Sequence, residues 1–200
     1  TSVAPNDWAS ATMEARKPRR QTSIEEAATR SAARIAEMEV LCAALESPPD
    51  WRSVASCTER LITLSQETGD ERAEARSLSR LGKSRIRLGD FVEAAGHLER
   101  AARIAVEIGD PDLEVDARQA LGNALLSLGR LPEAKEQFER VGESRGWRAR
   151  WSAAVSLAAV LEQAGDYRGA MEQCDVAAAV LEEGDDREAA AAGSVYVDAN

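Results

Sequence analysis

Two stretches of the sequence decide the fold: LGKSRIRLGDFVEAAGHLERA at residues 81–101 and LGNALLSLGRLPEAKEQFERV at residues 121–141. They place similar residue types at the same positions, and we call the offset from Leu81 to Leu121 the period. A third stretch, LAAVLEQAGDYRGAMEQCDVA at residues 157–177, repeats the pattern after the shorter offset from Leu121 to Leu157, which we call the short period. Self-similarity of this kind, at a period of roughly 20–50 residues, predicts a tandem array of helical hairpins.

The residue types within a unit have a mechanical explanation. Gly82 and Ala94 remove side-chain bulk where two paired helices approach each other, and Gly89 permits a left-handed turn between those helices. Asp90 and Glu93 are start signals for the helix that follows the turn. Period, turn and packing residues therefore agree on one architecture.

The composition also favours helices. The 200 residues include only four Trp, two Tyr and two Phe, and they contain long stretches of Ala, Leu, Glu and Arg. These are residues of high helix propensity, whereas sheet proteins are enriched in β-branched and aromatic residues. We therefore predict an all-α fold, an α-solenoid of stacked helix-turn-helix hairpins.

The charge changes sign near residue 22. Residues 1–22 carry four bases against two acids and lack helical periodicity, so we predict an extended, polar and basic tail that docks on a partner. The repeat domain is predicted over residues 23–200, starting at the capping box Ser23-Ile-Glu-Glu26. Its predicted hairpins span about 23–67, 71–108, 112–143 and 146–182, with a partial capping helix over 186–200.

The Leu-Gly pair and the later Ala-x3-Phe spacing resemble the tetratricopeptide repeat family, most clearly over residues 71–183 and weakly over 23–68. Gly-Asp before one helix and Leu-Gly-Asn within it, at a 40-residue period, are similar to a subclass found in spindle-orientation and cytoskeletal adaptors. The resemblance implies that Asn123 faces an inner groove and bonds the main chain of an extended partner. Lys83 and Ala159 stand at that position in the other repeats.

No combination of residues predicts catalysis. A catalytic site needs a nucleophile, a base and an orienting group that converge, and the sequence offers no such set. One His and three Cys without a Cys-x-x-Cys pair do not supply four zinc ligands. We therefore predict no enzymatic activity, no metal and no cofactor, and we interpret His97 as a surface residue.

The cysteines are interpreted as packing residues. Cys174 occupies the large apolar position held by Leu98 and Phe138 in the sister units, so we expect it to be buried. Cys42 and Cys57 fall in the first hairpin and could face each other. Reduced thiols in the core are favoured over a disulfide, because a reducing intracellular setting is the simplest interpretation of the cysteine usage.

The first helix of each hairpin lines the inner groove of such an array. Helical spacing places Arg76, Arg80, Lys83 and Arg87 along one stripe, so their positive potentials add. We predict that this stripe, together with Asn123, binds an acidic or extended segment of a partner protein. The alternative is that these bases only pair with Glu74 and with acids of the next repeat.

Trp147 and Trp151 lie four positions apart on one predicted helix face with Val155. Packing against the preceding helix is one interpretation, and a hot spot for a partner is the other, since exposed Trp residues anchor interfaces. The net charge of −10 argues against a nucleic-acid partner.

The sequence thus predicts a protein-interaction scaffold or adaptor within a larger, cytoskeletal or ciliary assembly. The alternative is a peptide-sensing regulatory domain of a bacterial signalling protein. No stretch approaches the roughly 18 apolar residues that span a bilayer. We therefore expect no membrane insertion and an intracellular location, cytoplasmic or cytoskeletal.

Overall fold

The computed structural model describes residues 16–47 and 50–197, with side chains over 26–47 and 50–184. The regular structure of these residues consists of α-helices and includes no β-strand, which confirms the all-α prediction. The helices are α1 Arg16–Ala44, α2 Trp51–Thr68, α3 Glu71–Leu88, α4 Phe91–Glu107, α5 Pro111–Ser127, α6 Leu131–Gly142, α7 Trp147–Gln163 and α8 Tyr167–Val197.

The eight helices stack as hairpins in chain order. Each helix packs against the next one along the chain, and the first helices of neighbouring hairpins also touch, α3 against α5 and α5 against α7. The first helices therefore line one surface of the array, and the second helices form the opposite surface. This arrangement is the predicted α-solenoid.

Acidic caps and glycine turns define where the helices begin and end. The carboxylates of Asp50, Asp70 and Asp110 each accept a hydrogen bond from a backbone amide in the first turn of α2, α3 and α5. Each satisfies one of the amides that a helix start leaves without a partner. Gly89, between α3 and α4, has a φ of 86°, a conformation that a side chain would disfavour.

The two helices of a hairpin meet at a glycine. A Cβ atom at Gly82 would overlap the side chain of Leu98, and one at Gly122 would overlap the ring of Phe138. Leu98 and Phe138 have no exposed surface, so neither has room to move aside. The glycine on the first helix and the large residue on the second therefore act as a matched pair that sets the distance between the helices.

A buried carboxylate joins three of the helices. Glu74 of α3 accepts a hydrogen bond of 2.8 Å from Nε2 of Gln66 in α2, and it forms an ion pair with Arg100 of α4. Glu74 is only 9% exposed, so losing either partner would leave a poorly solvated charge. This cluster fixes the position of one hairpin relative to the preceding one.

The first helix starts earlier than predicted. The expected start was Ser23, but α1 begins at Arg16 and includes Pro18. Proline is compatible with the first turn because the amides there have no partner within the helix. The rest of the predicted tail, residues 1–15, lies outside the described residues. The run Ser47-Pro48-Pro49 predicts the end of the first helix, and its two prolines also lie outside the described residues.

The last helix continues through a predicted break. We expected an end near residue 182 and a separate capping helix over 186–200, but α8 runs without interruption to Val197. The Gly-Asp pair at Gly184 repeats that of the earlier turns and so predicts a break, but Gly184 keeps a helical backbone, and a Cβ atom there would overlap the indole of Trp147 in α7. This glycine serves helix packing, as Gly82 and Gly122 do, and is not a turn residue.

Both expectations about the cysteines are wrong. Cys42 and Cys57 form a disulfide between α1 and α2, with their Cα atoms 5.7 Å apart. Cys42 stands one period before Gly82, the residue at which the helices of the next hairpin approach closely. Cys174 is exposed and unpaired, because no helix in the described part of the chain covers that side of α8.

We predict that Gly122→Ala destabilises the array by about 1–3 kcal/mol, because the added methyl group overlaps a buried ring that cannot move. Thermal or urea unfolding followed by circular dichroism would measure the loss. Gly96→Ala is the matched control, since Gly96 lies within α4 with nothing near its Cβ position. The control should gain up to about 1 kcal/mol from helix propensity, and equal stability of the two variants would contradict the packing argument.

Candidate functional site

The main concave feature is an inner groove along the first helices. It has a volume of about 820 Å³ and is lined mainly by α3 and α5, with Trp51 and Glu46 at one end. Its lining includes five bases and four acids, together with amide and hydroxyl groups and apolar side chains such as Ile86 and Leu113. The charges of the groove therefore nearly cancel, and apolar surface lies beside them.

The structure places all four bases of the predicted stripe in this groove, together with Asn123. Three of the bases pair with acids of the neighbouring hairpins: Arg76 with Glu39 at 3.0 Å, Arg80 with Glu46 at 3.3 Å, and Lys83 with Asp116 at 2.5 Å. These carboxylates neutralise most of the positive potential that the stripe would have alone. Each pair is partly exposed and is expected to stabilise the fold by about 0.2–1 kcal/mol.

Arg87 differs from the other three bases. Its guanidinium lies 5.8 Å from the centre of the Trp51 ring, a cation–π contact, and the described residues place no carboxylate within ion-pair distance of it. Arg87 is exposed, and both residues line the groove. They form a site with a positive charge beside an aromatic surface, which suits a carboxylate next to an apolar side chain.

Two amide side chains supply hydrogen-bonding groups further along the groove. Asn123 is exposed, and its side chain has no hydrogen-bond partner in the described part of the chain. Gln119, one turn earlier, donates from Nε2 to Oγ of Ser156 at 2.8 Å, while its Oε1 is buried and accepts no hydrogen bond there. Of the two amides, Asn123 is the one exposed to a bound segment.

From the sequence we place Gln119 on the inner face with Ser79 and Asn123, although the predicted binding residues do not include it. Its signal was the register, because Gln119 stands one period after Ser79, another residue of the groove. The sequence placed both on the inner face but could not show that one oxygen of Gln119 lacks a partner.

The two tryptophans of the prediction lie outside the groove lining. The indole of Trp147 covers Gly184 of α8, and the guanidinium of Arg148 lies 5.2 Å from its centre. Trp147 thus packs against α8, the second helix of the last hairpin. Trp151 is half-exposed on α7. The groove and this pair of residues are separate features of the surface.

His97 is half-buried on α4, whereas we expected a surface residue. Burial lowers the pKa of His97, and the positive charge of Arg85 lowers it further, against the weaker opposing effect of Glu93. Arg85 itself is held by Glu59 at 2.8 Å and by Asp90 and Glu93 at 3.3 Å. The imidazole therefore lies beside a network of ion pairs between hairpins.

The described residues contain no group of three or more His, Cys, Asp or Glu side chains placed to hold a metal ion. In the same part of the chain no helix is long and apolar enough to cross a membrane.

Comparisons with known proteins agree with the repeat architecture. A model of the tetratricopeptide repeat family matches residues 62–143. No curated protein matches the sequence. The fold is similar to two crystal structures of TPR-like repeats from Podosopora anserina, described as those of a kinesin light chain, at 17% identity over 88% of this chain and 95% of theirs. The TM-scores are 0.63 and, for a point variant of the same repeats, 0.66.

The matches support the predicted repeat family and show its fold. A fold of this kind is typical of protein-interaction scaffolds. The more specific assignment, to the Leu-Gly-Asn subclass, stays a prediction from the sequence.

We predict that His97, the single histidine of the chain, titrates below its ordinary pKa of 6.5. Because its neutral form is favoured in the fold, the stability that His97 contributes is present above pH 6.5 and is lost as the pH falls through the lowered value. NMR titration of the imidazole would measure this midpoint. Replacing Arg85 by Gln removes the positive charge and should raise the midpoint, and an unchanged value would contradict the contribution assigned to Arg85.

Proposed function

We propose that the protein is a non-catalytic interaction scaffold whose inner groove binds an extended segment of a partner protein. The observation that carries the proposal is the amide side chain of Asn123, which is exposed in the groove and has no hydrogen-bond partner among the described residues. An extended main chain offers N–H and C=O groups that such a side chain can bind.

The charges in the groove define the chemistry of that segment. Arg76, Arg80 and Lys83 already have carboxylate partners, so a strongly acidic segment would have to displace them. Arg87 has no such partner among the described residues and lies against Trp51. The segment that fits best is extended, carries one carboxylate for Arg87, and places an apolar side chain on the Trp51 ring.

The paired bases have a second role in this proposal. Glu39 and Glu46 come from the first hairpin, whereas Asp116 belongs to α5, so these pairs join neighbouring hairpins along the groove wall. They hold the wall in place while Arg87 and Asn123 contact the partner. The larger assembly, its cytoskeletal setting and the docking of the N-terminal tail stay predictions from the sequence.

The experiment uses peptides selected from a random displayed library on the immobilised protein. We expect selected peptides to bind wild type and to lose about tenfold in affinity on Asn123→Ala and on Arg87→Ala, measured by fluorescence anisotropy. Both side chains are exposed, so these changes should leave the melting temperature nearly unchanged. Arg60→Ala is the matched control, because Arg60 is exposed on α2 away from the groove.

Reversal of Arg76, Arg80 and Lys83 to Glu tests the structural role of their three ion pairs. Because it breaks three ion pairs between hairpins, it should lower the melting temperature. Selected peptides that bind wild type, Asn123→Ala and Arg87→Ala equally well would show that the groove is not the binding site.

A further inference from the structure

The far end of the array exposes positions that are buried elsewhere in it. Four residues of α8 occupy the repeat positions of four buried residues of α4, one period plus one short period further along the chain. The corresponding pairs are Met171 and Ala95, Cys174 and Leu98, Ala178 and Ala102, and Leu181 and Ala105. The α4 residues are at most 4% exposed and share hydrophobic clusters with α5. On α8, Met171 is 70% and Leu181 40% exposed. We call these four α8 residues the tail face.

The opposite end shows the complementary feature. Four exposed residues of α1 occupy the repeat positions of four residues of α5 that are at most 8% exposed, two periods earlier in the chain. The corresponding pairs are Ala33 and Leu113, Val40 and Ala120, Leu41 and Leu121, and Ala44 and Ala124. The α5 residues are those that share clusters with α4. On α1, Val40 is 68% and Leu41 59% exposed. We call these four α1 residues the head face.

One pair of positions on the two faces exchanges a large and a small side chain. Within the chain, the small Ala105 of α4 lies in one cluster with the large Leu113 of α5. The corresponding positions are Leu181 on the tail face and Ala33 on the head face, so the large and small residues are exchanged. An exchange of this kind conserves the volume at the contact.

The charges are matched as well. Within the chain, Gln66 of α2 donates a hydrogen bond to Glu74 of α3 across two neighbouring hairpins. In the same register, Glu182 of α8 corresponds to Gln66, and Arg34 of α1 corresponds to Glu74. Both are exposed, and they have opposite charges. The same geometry between two chains would therefore replace a hydrogen bond by an ion pair.

From these correspondences we propose that the head face of one copy docks on the tail face of a second copy. The contact repeats the packing of one hairpin on the next, which the chain already uses between α4 and α5. Such a contact is heterologous, so its two faces differ and each copy keeps one face open. Copies then add end to end, and the array of hairpins continues from chain to chain.

One charged residue opposes this contact. Glu37 of α1 stands two periods before Ala117, which is fully buried and lies in one cluster with Ala102. In the proposed contact the Glu37 side chain faces Ala178 and loses part of its hydration. Glu37→Ala should therefore strengthen the association.

Sedimentation velocity of the full chain over a range of concentrations tests the proposal. The reference protein is the unaltered chain, and non-reducing gel electrophoresis checks that no disulfide forms between copies. We expect concentration-dependent association of this reference protein. Val40→Glu with Leu41→Glu on the head face, or Met171→Glu with Leu181→Glu on the tail face, should raise the dissociation constant about tenfold or more. Circular dichroism confirms folding, since all four residues are exposed.

Mixing the two blocked variants gives the decisive result. Each should be a monomer alone, yet together they should form a dimer that grows no further, because one copy retains its head face and the other its tail face. Arg34→Glu should weaken association about threefold or more, and adding Glu182→Arg should restore it. A monomeric reference protein at all concentrations, or association that survives when one face is blocked, would overturn the proposal.

Discussion

The contact of a glycine on one helix with a large side chain on its partner is the constraint on which the array depends. Gly82 receives Leu98, and Gly122 receives Phe138. Because the large residues are fully buried, the helix separation cannot change without opening a cavity or a clash. Successive hairpins therefore have nearly the same cross-section, so the first helices line one continuous groove.

Much of the fold was predictable because its determinants are local. The caps and glycine turns between α2 and α8 act within a few residues, so the ends of those helices follow from the sequence to within one or two residues. The continuation of α8 was not predictable, because the sequence around Gly184 indicates a turn. Only the contact with Trp147 of α7 shows that this glycine serves helix packing. The disulfide was not predictable either, because it depends on the distance between α1 and α2. The position of Cys42, one period before Gly82, does not by itself give that distance.

The same distinction, between local patterns and contacts between helices, applies to the candidate site. Helical spacing was sufficient to place Arg76, Arg80, Lys83 and Arg87 on one wall, since it needs only the period of the helix. Helical spacing could not decide whether carboxylates neutralise these bases, because the acids belong to other elements. Glu39 and Glu46 come from the first hairpin, and Asp116 comes from α5. What distinguishes Arg87 is the ring of Trp51 from α2, which no local pattern indicates.

The Cys42–Cys57 disulfide changes how the first hairpin would carry a mechanical load. Tension applied to the chain before Cys42 passes through the covalent bond directly to Cys57, so the intervening residues bear none of it. The end of α1 and the start of α2 are thereby shielded, and the force acts on α2 only beyond Cys57. The disulfide therefore keeps α1 and α2 joined under tension, and the chain starts to extend where helices are held only by non-covalent contacts.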